Sequence, residues 1–198
     1  MKKLILLFTL IASTANAASD KDFTLQDVET YMSSLKNFTA KFEQVVPGED
    51  FSKGTLYIQK PGKFLWSYTM PNPVKIVSNG GLVYFVDEQA GQTTQVPNSG
   101  LLFSLLSKED IKLNTKNLKL VNLKQNNNRV TLDLVAKVEG EEVPVTLIVK
   151  KVSDDKLNLS KIISRNQLDQ MVVVSLFEQN ENAKIDKDIF EVEGVDEF

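Results

Sequence analysis

GTLYIQKPGKFLWSY, residues Gly54 to Tyr68, reads as two short aromatic-rich strands joined by a Lys60-Pro61-Gly62 turn, and it holds the single tryptophan of the 198-residue chain. Successive side chains of a strand alternate between faces, so Phe64, Trp66 and Tyr68 share one face, and Leu56 and Ile58 share one face of the preceding strand. The hairpin therefore presents a broad apolar surface that another part of the chain must cover.

Working outward toward the start, Lys2 and Lys3 precede an apolar run from Leu4 to Ile11 that ends in Ala15-Asn16-Ala17. This is the pattern of a secretory signal peptide cleaved after Ala17. The apolar run is too short for a membrane-spanning helix. A mature chain from Ala18 to Phe198 is expected, with no cysteine to carry a lipid anchor. Its length suits one domain, and no Gly/Ser-rich or Pro-rich linker divides it.

The formal charge of the whole chain is −3; residues 1–17 hold two lysines and no acid, so the remainder sits two units lower, at −5. No basic run is legible along the chain, so composition disfavours nucleic acid or a bare anionic bilayer as a general partner. The chain has no histidine and no cysteine. The commonest general base, the thiolate nucleophile and the usual zinc ligands are thus missing, as is any disulfide. Neither a metal nor a cofactor is expected.

The first element after the leader is helical. Thr24 caps it with Asp27 three residues on, and Leu25, Val28, Met32 and Leu35 recur at helical spacing. From Phe38 the period changes to two: Phe38, Ala40 and Phe42 alternate with Thr39, Lys41 and Glu43. Further strands are expected at 54–59, 63–69, 74–78, 82–87 and 92–96, and again at 118–124, 129–137, 143–150, 158–166 and 171–179. Turn chemistry such as Pro71-Asn72-Pro73 and Asn126-Asn127-Asn128 separates them. Leu82–Val86 and Met171–Val174 are apolar on both faces, which predicts cover on both. Between the two sets of strands, NSGLLFSLL (98–106) is apolar at nearly every position. It suits either a buried plug or a movable apolar element over a cavity, and periodicity does not separate the two.

These elements predict a mainly β (α+β) fold: an unclosed antiparallel β-barrel, or strongly curved half-barrel sheet, whose helices fill or cover the inner side. Enzyme chemistry is disfavoured. The acid pairs Glu49-Asp50, Glu141-Glu142 and Asp154-Asp155 sit in or beside turns, and neighbouring acids on a strand point to opposite faces rather than across a cleft. No nucleophile elbow, Ser-x-x-Lys signature or phosphate-binding loop is present.

The helix leading into FTAKFEQ (38–44), then GTLYIQKPGKFLW (54–66), VKIVSNGGLVYFVDE (74–88), SGLLFSLLS and the closing IFEVEGV (189–195) resemble the LolA family of periplasmic outer-membrane lipoprotein carriers. The resemblance covers essentially the whole mature chain. It implies an α-helical lid over a hydrophobic cavity, a monomer in the periplasm, and triacylated lipoproteins as cargo. The cargo would come from an inner-membrane ABC transporter of the LolCDE type and pass to a LolB-type receptor on the outer membrane. Three acyl chains of about fifteen methylenes, at ~0.8 kcal/mol each, amount to roughly 36 kcal/mol, so such a lipoprotein needs a shield to cross water.

The resemblance also implies roles for residues. Lys60 stands where the family has an arginine that latches the lid, with a compact three-donor ammonium in place of a planar five-donor fork. Phe64 matches an aromatic that lines the cavity. Trp66, Tyr68, Leu56 and Ile58 would complete that wall, faced by Met32, Leu101, Leu102, Phe103, Leu105 and Leu106 from the helical side. Plain core packing is the alternative for each of these apolar residues. RseB-like envelope-stress sensors and generic periplasmic lipid carriers are the rival readings of such a half-barrel.

Overall fold

The computed structural model describes residues 22–96, 105–126, 128–138, 140–153, 156–166 and 168–192. The leader (1–17), Leu101, Leu102, Phe103, Asp154-Asp155 and the last three residues of IFEVEGV lie outside these.

Helix α1 (Leu25–Ser34) is followed by β1 (Asn37–Val45), β2 (Ser52–Gln59), β3 (Lys63–Met70), β4 (Val74–Asn79), β5 (Val83–Asp87) and β6 (Gln92–Val96). After a helical turn at 105–107 come β7 (Leu118–Asn126), β8 (Arg129–Val138), β9 (Glu141–Ser153), β10 (Lys156–Arg165) and β11 (Met171–Asn180), then a 3-10 helix at Lys187–Phe190. The α1 capping box forms as expected: the Asp27 amide donates to Thr24 Oγ1 at 3.2 Å, and the Thr24 amide donates to Asp27 Oδ2 at 2.7 Å.

All eleven strands belong to one sheet in the order β6-β5-β4-β3-β2-β1-β11-β10-β9-β8-β7. Each half is a meander of neighbours in sequence, and the halves are joined where β1 pairs antiparallel with β11. β6 and β7 are the two ends of the strand order, so the sheet is not closed into a barrel.

Hydrogen-bond anchors of α1 require the sheet to curl. The Phe23 amide, just before the helix, donates to Gln125 Oε1 on β7, and the Met32 carbonyl near the other end accepts from Lys60 beside β2. Six strand intervals separate β2 from β7. In a flat sheet these would span about 29 Å, whereas nine helical residues span about 14 Å. The strands therefore wrap around the helix as a half-barrel.

The inner face carries one continuous core. It includes Phe38, Ala40 and Phe42 of β1, Leu56 and Ile58 of β2, and Phe64 and Trp66 of β3. Val130, Leu132 and Leu134 of β8 join it, as do Val145, Leu147 and Val149 of β9, with Val28 and Met32 of α1 and Leu35 just after it seated among them. A second, smaller cluster lies on the outer face, where Leu65, Val77 and Tyr84 are covered by Phe190, Ile185, Ile189 and Val192 of the C-terminal segment. The two-faced apolarity of 83–86 is thus explained, with Val83 in the inner core and Tyr84 in the outer cluster, while Leu82 is 46% exposed. The same expectation fails at 171–174: Val174 is buried, but Met171 is 47% exposed. The C-terminal cover packs over β3–β5 rather than over β11.

One glycine is demanded by packing. Phe42 lies directly across from Gly54, and a Cβ on Gly54 would fall 2.0 Å from the Ser67 carbonyl oxygen and 2.8 Å from the Phe42 ring. With no side chain there, Phe42 meets Trp66 and Tyr68 at ring-centroid separations of 5.0 Å in both cases. The Tyr68 contact is edge-on, the arrangement that aromatic quadrupoles favour.

Candidate functional site

The β2–β3 turn, read from its residues as the tip of a hairpin and from the resemblance as the place of a lid latch, is the junction of three parts of the fold. Lys60 Nζ donates to the Met32 carbonyl at 2.5 Å, in the last turn of α1. A cation is favoured there, where unpaired carbonyls carry the negative end of the helix dipole. The Lys60 amide donates to the Lys36 carbonyl at 2.8 Å, just past the helix. The Gly62 amide donates to the Ser107 carbonyl at 2.8 Å, at the end of the second helical segment. Gly62 adopts φ of 78°, and a Cβ on it would fall 2.9 Å from the Gly80 Cα in the β4–β5 turn, so both its conformation and its surroundings call for glycine. One turn thereby holds both helical pieces that lie on the inner face.

Burial lowers the Lys60 ammonium from its usual 10.5 to about 8. Close to neutrality the group is still charged, but less firmly than an exposed lysine.

The helical pieces are also bound to each other and to the sheet. Glu29 is 8% exposed, and its Oε1 accepts the Leu113 amide at 2.7 Å, with Lys112 Nζ 3.9 Å from Oε2. Ser33 Oγ accepts the Ile111 amide at 3.0 Å. Tyr31 reaches across to β10, where its hydroxyl accepts the Leu159 amide at 2.9 Å; burial pushes that hydroxyl well above its ordinary pKa. Sequence reading passed over Glu29, Ser33 and Tyr31. The available signal was Glu29 itself, an acid on the apolar stripe between Leu25 and Met32, where a buried carboxylate needs a donor.

The apolar candidates come together as one group. Leu56, Ile58, Phe64, Trp66, Met32, Leu105 and Leu106 are all buried in the inner core, and Tyr68 packs against it half-buried. Cross-strand register explains the wall: Ile58 faces Phe64, Leu56 faces Trp66, and Gly54 faces Tyr68. The Tyr68 hydroxyl donates to Gln44 Oε1 at 3.0 Å, and burial raises it to about 12. Lys60 sits at one end of this wall and Tyr68 at the other. Among the described residues no helix is long and apolar enough to cross a membrane.

Known proteins are similar to this chain in sequence or in fold. A crystal structure of a LolA-superfamily protein from Nitrosomonas europaea superposes with a TM-score of 0.50, covering 88% of this chain and 100% of that one, at 10% identity, a likeness of fold alone. An outer-membrane lipoprotein carrier protein of Pseudoalteromonas translucida is 33% identical over 119 residues, 56% of this chain and 57% of that protein. A namesake from Methylococcus capsulatus is 39% identical over 83 residues, 39% of this chain and 40% of that protein. The chain thus spans about half the length of these relatives. A longer match, to the carrier protein of Francisella philomiragia, is 29% identical and covers 96% of this chain and 93% of the relative. The family model described as "Outer membrane lipoprotein carrier protein LolA" matches residues 33–193, from the end of α1 through the C-terminal cover. The chain belongs to the LolA family.

Proposed function

We propose that this protein is a periplasmic carrier that shields the acyl chains of triacylated lipoproteins between an inner-membrane LolCDE-type transporter and a LolB-type receptor on the outer membrane. The observation that carries this reading is the β2–β3 turn, whose Lys60 and Gly62 bond both helical segments over an unbroken apolar wall. α1 and residues 105–113 then act as a lid, and the state described is the closed one. When the lid swings away from the turn, Phe64, Trp66, Tyr68, Leu56 and Ile58 become one side of an acyl-chain cavity. Met32, Leu105 and Leu106 become the other, with Leu101, Leu102 and Phe103 assigned to the same side.

The exchange is favourable in kind. Opening exposes apolar lid and wall surface, and each acyl methylene buried in its place returns about 0.8 kcal/mol. A lid held by a few hydrogen bonds, rather than by a disulfide, suits repeated opening.

The test is release of a labelled lipoprotein from inner-membrane vesicles carrying an energised LolCDE-type transporter, with the purified chain added. Lipoprotein appearing in the soluble fraction as a complex with the chain is the expected result, and its retention in the membrane sinks the reading. Phe64→Ala separates wall from core. A lining role predicts a folded variant with poor cargo uptake, whereas a purely packing role predicts a loss of roughly 3–5 kcal/mol of stability with uptake unchanged in whatever remains folded.

A further inference from the structure

The outer face of the sheet is treated differently in its two halves. On β3–β5 its apolar residues lie beneath the C-terminal segment. On β8–β11 and β1 no described segment lies over it, and a row of apolar side chains runs across the strands there. Ile163 pairs with Val173, and Val173 pairs with Val45, which is 47% exposed. On β9 and β8 that row passes into Thr146 and Asp133, and Ile148 and Val135 flank it on either side, opposite Thr131 and Pro144 respectively.

Lysines border the strip. One cross-strand row reads Lys124, Thr131, Ile148, Lys161 and Ser175 over β7, β8, β9, β10 and β11. Beyond it Arg129 pairs with Lys150, and on the other side Lys119 pairs with Val135. Lys119, Lys124, Arg129, Lys150 and Lys161 are exposed. Among the described residues none of the five forms an ion pair. Of the acids on this face, Asp133 is occupied in accepting from Asn122 Nδ2 and Thr146 Oγ1, while Glu43, across from Ser175, and Glu142, across from Lys137, are exposed. Composition by itself disfavours an anionic bilayer in a chain of formal charge −3, but on this face these five cations outnumber the acids Glu43, Asp133 and Glu142.

We propose that the outer face of β7–β11 and β1 is a docking surface for an anionic phospholipid membrane. The lysines meet headgroup phosphates, while the strip of valine and isoleucine lies against the interfacial region. Charge complementarity favours lipid over a long polyanion such as nucleic acid, because the rest of the acidic molecule repels a chain that extends past the patch. The inner face and its lid point away from this surface, so contact leaves the lipoprotein site free. Attraction of this kind fades within a Debye length, about 8 Å at physiological salt, which suits a reversible encounter.

Co-sedimentation of the purified chain with vesicles of phosphatidylcholine, with and without phosphatidylglycerol, tests the proposal. Binding should require phosphatidylglycerol and weaken as salt is raised. The combined variant Lys124→Glu/Lys150→Glu/Lys161→Glu should bind at least about a hundredfold more weakly, with an unchanged circular dichroism spectrum. Lys184→Glu/Lys187→Glu, a charge reversal of the same kind at two positions on the C-terminal cover, should leave binding intact. Equal binding to pure phosphatidylcholine would mean capture of lipid by apolar surface alone and overturns the proposal. No binding to phosphatidylglycerol vesicles overturns it as well, as does wild-type binding by the triple variant.

Discussion

Replacing Lys60 with methionine keeps the apolar stem and removes only the ammonium that holds the α1 carbonyl of Met32. Two opposed effects follow. A hydrogen bond from a charged donor contributes about 1.5–3 kcal/mol. Against it, the fall of the Lys60 pKa from 10.5 to about 8 through burial corresponds to at most about 3 kcal/mol of disadvantage for the ammonium. Partial exposure of the side chain screens that figure to about 1–2 kcal/mol. Global stability of Lys60→Met, read from urea unfolding, should therefore stay within about 1 kcal/mol of the wild type. Local stability should not: α1 loses its hold on the turn, and the last-turn amides should exchange about tenfold or more faster, the equivalent of about 1.4 kcal/mol.

The wild type also carries a pH signature that the variant lacks. Between about pH 8 and pH 10.5 the folded lysine has released its proton while the unfolded one retains it, so folding stability rises with pH across that window. Below the window the increment is absent. Unchanged α1 exchange in Lys60→Met, or a global loss above about 3 kcal/mol, would refute the view of Lys60 as a releasable latch.

Gly54→Ala places a methyl group 2.0 Å from the Ser67 carbonyl oxygen and 2.8 Å from the Phe42 ring, so strand pairing or the aromatic cluster must shift. A loss of about 3 kcal/mol is expected, seen as a melting temperature lower by about 6–12 °C; a shift under about 2 °C would contradict the packing account. Tyr31→Phe strips the buried Leu159 amide of its acceptor and should cost about 1–3 kcal/mol by chemical denaturation, with exchange at Leu159 accelerated. A neutral outcome there would mean that water replaces the hydroxyl.

Much of the fold was legible because its signals are local. The two-residue period placed Phe64 and Trp66 on one face and Leu65 on the other, and the structure puts them in separate clusters as that alternation requires. Thr24 and Asp27 marked the start of α1 through groups three residues apart. The apolar face of the β2–β3 hairpin was also visible, since its members lie within one hairpin. Its partners were less so. Glu29 to Leu113 and Tyr31 to Leu159 are bonds across 84 and 128 residues, and nothing in the pattern of either segment points to the other.

By itself, the chemistry of the sequence determined a mainly antiparallel architecture with no disulfide, no histidine chemistry and an apolar hairpin in need of cover. Only the tertiary structure decided that β1 closes on β11, that Lys60 meets the end of α1, and that Arg129 of β8 and lysines from β7, β9 and β10 stand together on one uncovered face. The reason is physical. Side-chain period says which residues of a strand share a face, whereas the identity of the neighbouring strand is set by burying every apolar face at once, a condition that no single segment contains.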